Sequence, residues 1–190
     1  MGGTERRLPN ILITGTPGTG KTSHAEAIAE RLSGQMRHVQ VNDVVRDREC
    51  HDGWDDELGC WIVDDDKLID ALESDALQGG LILDFHGCEL FPERWIDLVV
   101  VLRCGTVALY DRLAHRRGYA ERKLQENMDA EIMEVLLQEA RDSYDEAIVV
   151  ELWSDDLKQL DDNVERVVKW FEAWVKEHDG EGNERKDEHE

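Results

Sequence analysis

Residues 15–22 read Gly-Thr-Pro-Gly-Thr-Gly-Lys-Thr, between the apolar triplet Ile11-Leu12-Ile13 and a segment of helical periodicity that begins near Lys21. The spacing GxxxxGK[ST] in that setting is a phosphate-binding loop. Glycines at 15, 18 and 20 allow a turn tight enough for successive amides to converge, and the positive end of the following helix reinforces them. Such a loop needs a strand before it and a helix after it, which commits the chain to an α/β architecture. Gly18, Gly20, Lys21, Thr22 and Ser23 are the expected nucleotide contacts. The Lys21 ammonium belongs between the terminal phosphates, and the Thr22 hydroxyl is placed for Mg²⁺.

The remaining pattern agrees with this start. Strands are expected at 10–14, 39–41, 81–84, 98–102 and 147–152. Helices are expected at 21–32, 64–77, 106–113, about 122–146 and 157–176, with a brief one capped by Asn42-Asp43 and carrying Arg46. The continuous apolar runs at 81–83 and 98–102 imply a parallel sheet covered on both faces. Residues 50–60, acidic and punctuated by glycine, read as an irregular exposed insertion. Trp170 and Trp174 flank the apolar stripe of the last helix and read as packing rather than ligand contacts. The segment 179–190 is wholly polar and charged and reads as a disordered acidic tail.

At 190 residues the chain suits one buried core and is short for two. Its formal charge is −22, with acid concentrated at 52–57, 64–66 and 177–190. That balance argues against direct binding to nucleic acid or anionic lipid and favours a basic protein partner, although the same acids also serve plain solubility. Cys50, Cys60, Cys88 and Cys104 form no CxxC pair, so reduced thiols without a metal are expected. No secretory leader precedes Leu8, and no apolar run has the length of a membrane span.

Chemistry on a bound triphosphate calls for one acidic metal partner and positive charge near the phosphates. Asp84 ends an apolar strand, where ligands bind in such sheets, and is the expected second Mg²⁺ ligand beside Thr22. His86 can orient a water or an acceptor hydroxyl, or serve as a structural histidine; the sequence leaves both open. Arg46, Arg103, Arg112, Arg116 and Arg117 are the cationic candidates. Arg46 lies where a segment can fold over an acceptor, and Arg116-Arg117 lies at a Gly-Tyr break suited to a lid.

Over roughly residues 8–178 the chain resembles the adenylate kinase isoenzyme 6 family, nuclear nucleoside monophosphate kinases and ATPases implicated in small ribosomal subunit assembly. The resemblance rests on Leu8-Pro9-Asn10-Ile11 leading into GTPGTGKT, on DFHGCELFPERW from Asp84 to Trp95, on Arg117-Gly118-Tyr119 and on the tryptophan-bearing final helix. It implies a single three-layer P-loop domain of the nucleoside monophosphate kinase type, with a five-stranded parallel sheet ordered 2-3-1-4-5. An acceptor-binding segment near 40–63 and a short lid near 115–125 go with it. It also implies ATP with Mg²⁺ as donor, AMP and related monophosphates as acceptors, slow ATPase activity, a role in small-subunit rRNA maturation with a basic ribosomal protein as partner, and residence in nucleus and cytoplasm. Asp84 and His86 match the family's Walker B element, Arg117 its lid arginine and Arg46 its acceptor-segment arginine. The catalytic set expected is thus Lys21, Asp84, His86 and Arg117, with Arg117 also on the nucleotide and Arg46 on the acceptor. This chain departs from the family in an extra residue between Leu113 and Gly118, which leaves Arg116 and Arg117 competing for the lid role. It is also poor in arginine along the helix after Arg122, which favours ATPase or assembly activity over fast transfer. A small kinase of a sugar or other hydroxyl acceptor is the remaining alternative.

Overall fold

The computed structural model describes residues 6–56 and 59–184. In chain order, β1 (Ile11–Thr14) leads into α1 (Lys21–Arg31), and β2 (Arg37–Gln40) runs directly into α2 (Val41–Asp47). A hairpin of β3 (His51–Asp55) and β4 (Cys60–Val63) precedes α3 (Asp65–Gln78), followed by β5 (Leu81–Asp84) and β6 (Leu98–Arg103). Then come α4 (Thr106–Tyr110), α5 (Glu121–Ile132), α6 (Val135–Ser143), β7 (Val149–Trp153) and α7 (Leu157–Glu184).

The main sheet has the order β2-β5-β1-β6-β7, and every pairing is parallel. Counted over its own five strands this is the expected 2-3-1-4-5. The three central strands are buried on both faces, so their residues alternate between two cores. Ile11, Ile13, Ile82, Val100 and Leu102 face α1 and α7, where Ile28, Val164, Val167 and Phe171 meet them. Leu12, Leu83, Val99 and Val101 face the other layer, built by Val45, Leu68, Leu72, Leu137 and Ala140. Trp170 packs against the first of these cores, and Trp174 stacks on His178 of its own helix at 3.7 Å.

Two buried side chains lock this frame. Asn10, fully buried, donates to the carbonyls of Ala76 at 2.8 Å and Trp95 at 2.9 Å and accepts from the Leu81 amide at 3.0 Å. One side chain thereby ties β1 to the entry of β5 and to Trp95, itself completely buried. Tyr144, just past α6, donates to the carbonyls of Cys88 and Phe91 and pins the loop that follows β5.

Four local expectations need correction. The stretch expected to be irregular holds a hairpin: β3 and β4 pair antiparallel, with Trp54 opposite Trp61 and Asp55 opposite Cys60 and a register shift between His51 and Trp54. The two indoles meet edge to face at 5.1 Å, a contact worth about 1 kcal/mol that stabilises a strand pair whose aspartates disguise it in the sequence. The brief second helix starts at Val41 with Gln40 as its cap, so Asn42 lies inside its first turn. The long helix expected after Arg122 breaks at Glu134, which adopts a left-handed φ of 58° and separates α5 from α6. Finally, α4 does not continue regularly to Leu113 but widens into a π-helical stretch, Asp111–Arg116, closed by the Arg117 amide on the Arg112 carbonyl at 3.1 Å. A π turn accommodates one residue more than an α turn. Of the acidic tail, backbone is described to Glu184; residues 185–190, like 57 and 58 in the hairpin, lie outside the described residues.

Candidate active site

The loop between β1 and α1 is pressed so closely on its surroundings that its glycines are required. A Cβ on Gly15, whose φ is 140°, would stand 2.5 Å from the Leu102 carbonyl oxygen. On Gly18, at φ 95°, it would meet Leu113 at 2.9 Å. The loop's carbonyls are held by named donors. Lys21 Nζ donates to Gly15 O at 2.7 Å, Thr19 Oγ1 to Thr16 O at 2.8 Å and Arg112 to Gly18 O at 3.0 Å, and His24 Nδ1 lies 2.9 Å from Gly20 O. Among the described residues no side chain caps the first turn of α1, so its amides and the helix dipole remain suited to an anion.

At the carboxyl end of β5, the Thr22 hydroxyl donates to Asp84 Oδ2 at 2.6 Å. Asp84 is 4% exposed. Two oxygen donors this close, beside the phosphate loop, fit a magnesium ion, which prefers hard oxygen ligands. His38 of β2 also approaches the carboxylate, with Nε2 3.5 Å from Oδ2. Nothing in the sequence pairs residue 38 with residue 84; the parallel registration of β2 on β5 does. Burial pushes the Lys21 ammonium down to about 8, against the pull of Asp84, and Arg117 lowers it further. His86 edges the same cleft. Desolvation by the cleft walls, then the Lys21 charge, lower its pKa below the usual imidazole value, so the ring is neutral at pH 7.

The arginines divide clearly. Arg103, 5% exposed, is enclosed by Glu131 at 2.8 Å, Glu134 at 3.1 Å and Glu151 at 2.9 Å. Arg112 braces the phosphate loop and the Asp155 carbonyl. Arg116 turns to solvent and pairs with Asp111. Arg46, assigned to the acceptor by the sequence, is instead engaged by Asp43 at 3.0 Å and Asp47 at 2.7 Å on an exposed face of α2 and does not line the cleft. Asn42, one helical turn earlier, does. Arg117, of these five, reaches the cleft, because the π turn places it there and its neighbour outside.

The cleft has a volume of about 840 Å³ and brings Gly18, Gly20, Lys21, Thr22, Ser23, Asp84, His86 and Arg117 together. The segment 40–63 expected to bind the acceptor does reach the cleft, but through Gln40, Asn42, Trp54 and Trp61, side chains that sequence reasoning did not name for it. Sequence reasoning also missed Glu131. That buried carboxylate accepts from Thr16 Oγ1 at 2.6 Å, from Arg103 and from the Cys104 amide, tying the phosphate loop to α5. The i to i+3 pairing of Glu131 with Glu134 beside a lone buried arginine is visible only once β6 and α5 are adjacent.

A parallel sheet ordered in this way, with a phosphate loop after its central strand, a carboxylate on the next and a cleft bordered by the segment after the π turn, defines the P-loop kinase fold. Solved structures carry the same fold at 18% identity. A shikimate kinase from Bacteroides thetaiotaomicron superposes with a TM-score of 0.57, covering 87% of this chain and 99% of that one. A gluconokinase from Sinorhizobium meliloti 1021 does so with 0.54, covering 87% and 96%. A family model described as an AAA domain matches residues 11–134. Curated relatives are closer in sequence. An adenylate kinase isoenzyme 6 homolog of Dictyostelium discoideum is 48% identical over 92% of this chain and 98% of its own length. One of Schizosaccharomyces pombe is 47% identical over 94% and 100%, and one of Saccharomyces cerevisiae is 48% identical over 93% and 89%. The chain belongs to the adenylate kinase isoenzyme 6 family, and a nucleotide kinase type of function follows from that membership.

Proposed function

We propose that this protein transfers the γ-phosphoryl group of ATP to a nucleoside monophosphate, AMP among several acceptors. The observation that carries this reading is the contact of Thr22 with Asp84 at 2.6 Å beside Lys21, in a cleft whose far wall is the segment after β2. Thr22 and Asp84 would hold Mg²⁺, which supplies charge neutralisation at the phosphates when bound. Lys21 and Arg117 supply the remaining positive charge, and the amides of residues 18–23 orient the polyphosphate. An acceptor phosphate oxygen is already deprotonated near pH 7, so transfer to it needs alignment and no general base: a phosphorus–oxygen bond forms to the acceptor and the bond to ADP breaks.

Hydrolysis of ATP is proposed as the slower second outcome. A water must lose a proton to attack, and His86, neutral at the cleft edge, is suited to orient that water and accept the proton. We further propose a role in maturation of the small ribosomal subunit in nucleus and cytoplasm, through a basic ribosomal protein, supported by the net charge of −22. Among the described residues no helix is long and apolar enough to cross a membrane.

A coupled assay of ADP release with ATP alone and with AMP, CMP, GMP and UMP in turn tests the reading. Release that rises with at least one monophosphate is expected. Release indifferent to all four removes the kinase reading and leaves an ATPase.

A further inference from the structure

A β-strand sends alternate side chains to opposite faces of its sheet. In β2, Val39 enters the core shared with Leu12 and Leu83, so His38 and Gln40 lie on the other face. The parallel register sets His38 beside Ile82 and Gln40 beside Asp84, and those two residues of β5 share a face as well. Gln40 lines the cleft, whereas His38, two positions back along the strand, does not. It approaches Asp84 from the sheet, with Nε2 3.5 Å from Oδ2, the same oxygen that accepts from Thr22 at 2.6 Å.

This ring nitrogen is buried and has no hydrogen-bond partner. Buried polar atoms are paired as a rule, because an unpaired one forfeits its hydration for nothing, so each exception calls for a reason. Two histidine nitrogens are in this state among the described residues, His38 Nε2 and His51 Nδ1, and of the two only the first has a carboxylate in reach. A carboxylate accepts at both oxygens, and the Nε2–H tautomer of imidazole donates. A closure of about half an ångström makes the bond. Thr22 comes to this oxygen from α1 and His38 from the edge strand of the sheet, so the two side chains flank it. Donors placed in this way around a metal-binding carboxylate orient it and tune its hold on the ion.

We infer that His38 is a positioning residue for Asp84: its Nε2–H is the donor that steadies the carboxylate when the site carries its divalent cation. The role rests on the reading of Thr22 and Asp84 as the magnesium site. His38 lies outside the cleft lining, so it meets neither nucleotide nor acceptor and acts through Asp84 alone. It has a consequence that separates two parts of nucleotide binding. The loop amides and Lys21 hold the polyphosphate without help from β2, whereas the part of the affinity that magnesium adds depends on Asp84 and hence on His38.

Calorimetric titrations of the full-length protein with β,γ-methylene-ATP, which cannot be hydrolysed, test the role when run once in excess Mg²⁺ and once in excess EDTA. H38M and H38L remove the donor; H38Q keeps an amide N–H at the reach of Nε2. Both donorless variants are expected to weaken the analogue about tenfold in Mg²⁺ and to leave its affinity in EDTA unchanged, which also reports that they are folded. H38Q should recover most of the loss. Wild-type affinity of H38M and H38L in Mg²⁺, equal losses in Mg²⁺ and in EDTA, or an H38Q as weak as H38M overturns the positioning role. Binding to the wild type that is indifferent to Mg²⁺ removes the role together with the magnesium site. A magnesium effect that depends on His38, without phosphoryl transfer to any monophosphate in the coupled assay, would sink the kinase reading and leave the positioning role standing.

Discussion

Asp84 accepts from Thr22, so one carboxylate joins the helix that follows the phosphate loop to β5, and the buried His38 Nε2 lies 3.5 Å from it without a hydrogen bond. Substitution of Asp84 should separate binding from turnover. Asp84→Ala is expected to reduce Mg²⁺-dependent ADP release by about 100-fold or more, while calorimetry still detects nucleotide held by the loop amides and Lys21; undiminished release would remove Asp84 from the site. Glu131 illustrates a different kind of residue. It is 5% exposed and pairs with the buried Arg103, so Glu131→Leu should cost about 3 kcal/mol by leaving buried donors on Arg103, Thr16 and Cys104 without that acceptor. Glu134→Ala removes a contact of the same arginine from a half-exposed position and should cost less than about 1 kcal/mol. Urea unfolding of the two variants checks the contrast. Lys21, Thr22 and Asp84 were legible in the sequence because a loop motif and a strand end fix them locally. His38, Glu131 and the aromatic wall were not, since each acquires meaning from a neighbour distant in the chain. Arg46 sits differently from its sequence reading: local carboxylates, three residues before it and one after, engage it on the surface of α2, and it does not line the cleft.

At the scale of elements, α1 is joined to α7 through one histidine. His24 is buried, with Nδ1 2.9 Å from Gly20 O and Nε2 3.3 Å from Asn163 Nδ2, an arrangement that a neutral ring satisfies by donating to the carbonyl and accepting from the amide. Burial lowers its pKa from the usual 6.5, and Arg112 lowers it further against the Gly20 hydrogen bond. The unfolded chain therefore binds this proton more readily than the folded one. Stability from this group is present above pH 6.5 and is lost as pH falls through the depressed folded value. The thermal midpoint should decline between about pH 7 and about pH 5, and the decline should be shallower in His24→Gln; parallel profiles would show that His24 does not contribute. The main strands and helices were readable from periodicity, because the apolar runs 81–83 and 98–102 leave no other role in a covered sheet. The hairpin, the break at Glu134 and the π turn were not. Each departs from local preference under a tertiary contact: indole on indole, Arg103 on both glutamates, and Leu113 packed against Gly18.

Across the whole molecule the dominant quantity is the net charge of −22. Self-repulsion of that size opposes compaction and is screened by salt, so the thermal midpoint should rise as sodium chloride is increased from about 0.05 M to about 0.5 M. Binding of a basic protein should weaken over the same range, and affinity independent of salt would point to an apolar interface instead. By itself the sequence determined the phosphate loop, the central parallel strands and the carboxylate that ends β5, since these follow from glycine geometry, strand burial and the periods of side-chain alternation. Only the tertiary structure decided which arginine enters the cleft, what faces the phosphate loop across it and how Glu131 ties that loop to α5. Those outcomes depend on which surfaces meet when separate elements pack, and a contact between residues far apart in the chain leaves no trace in the spacing of either.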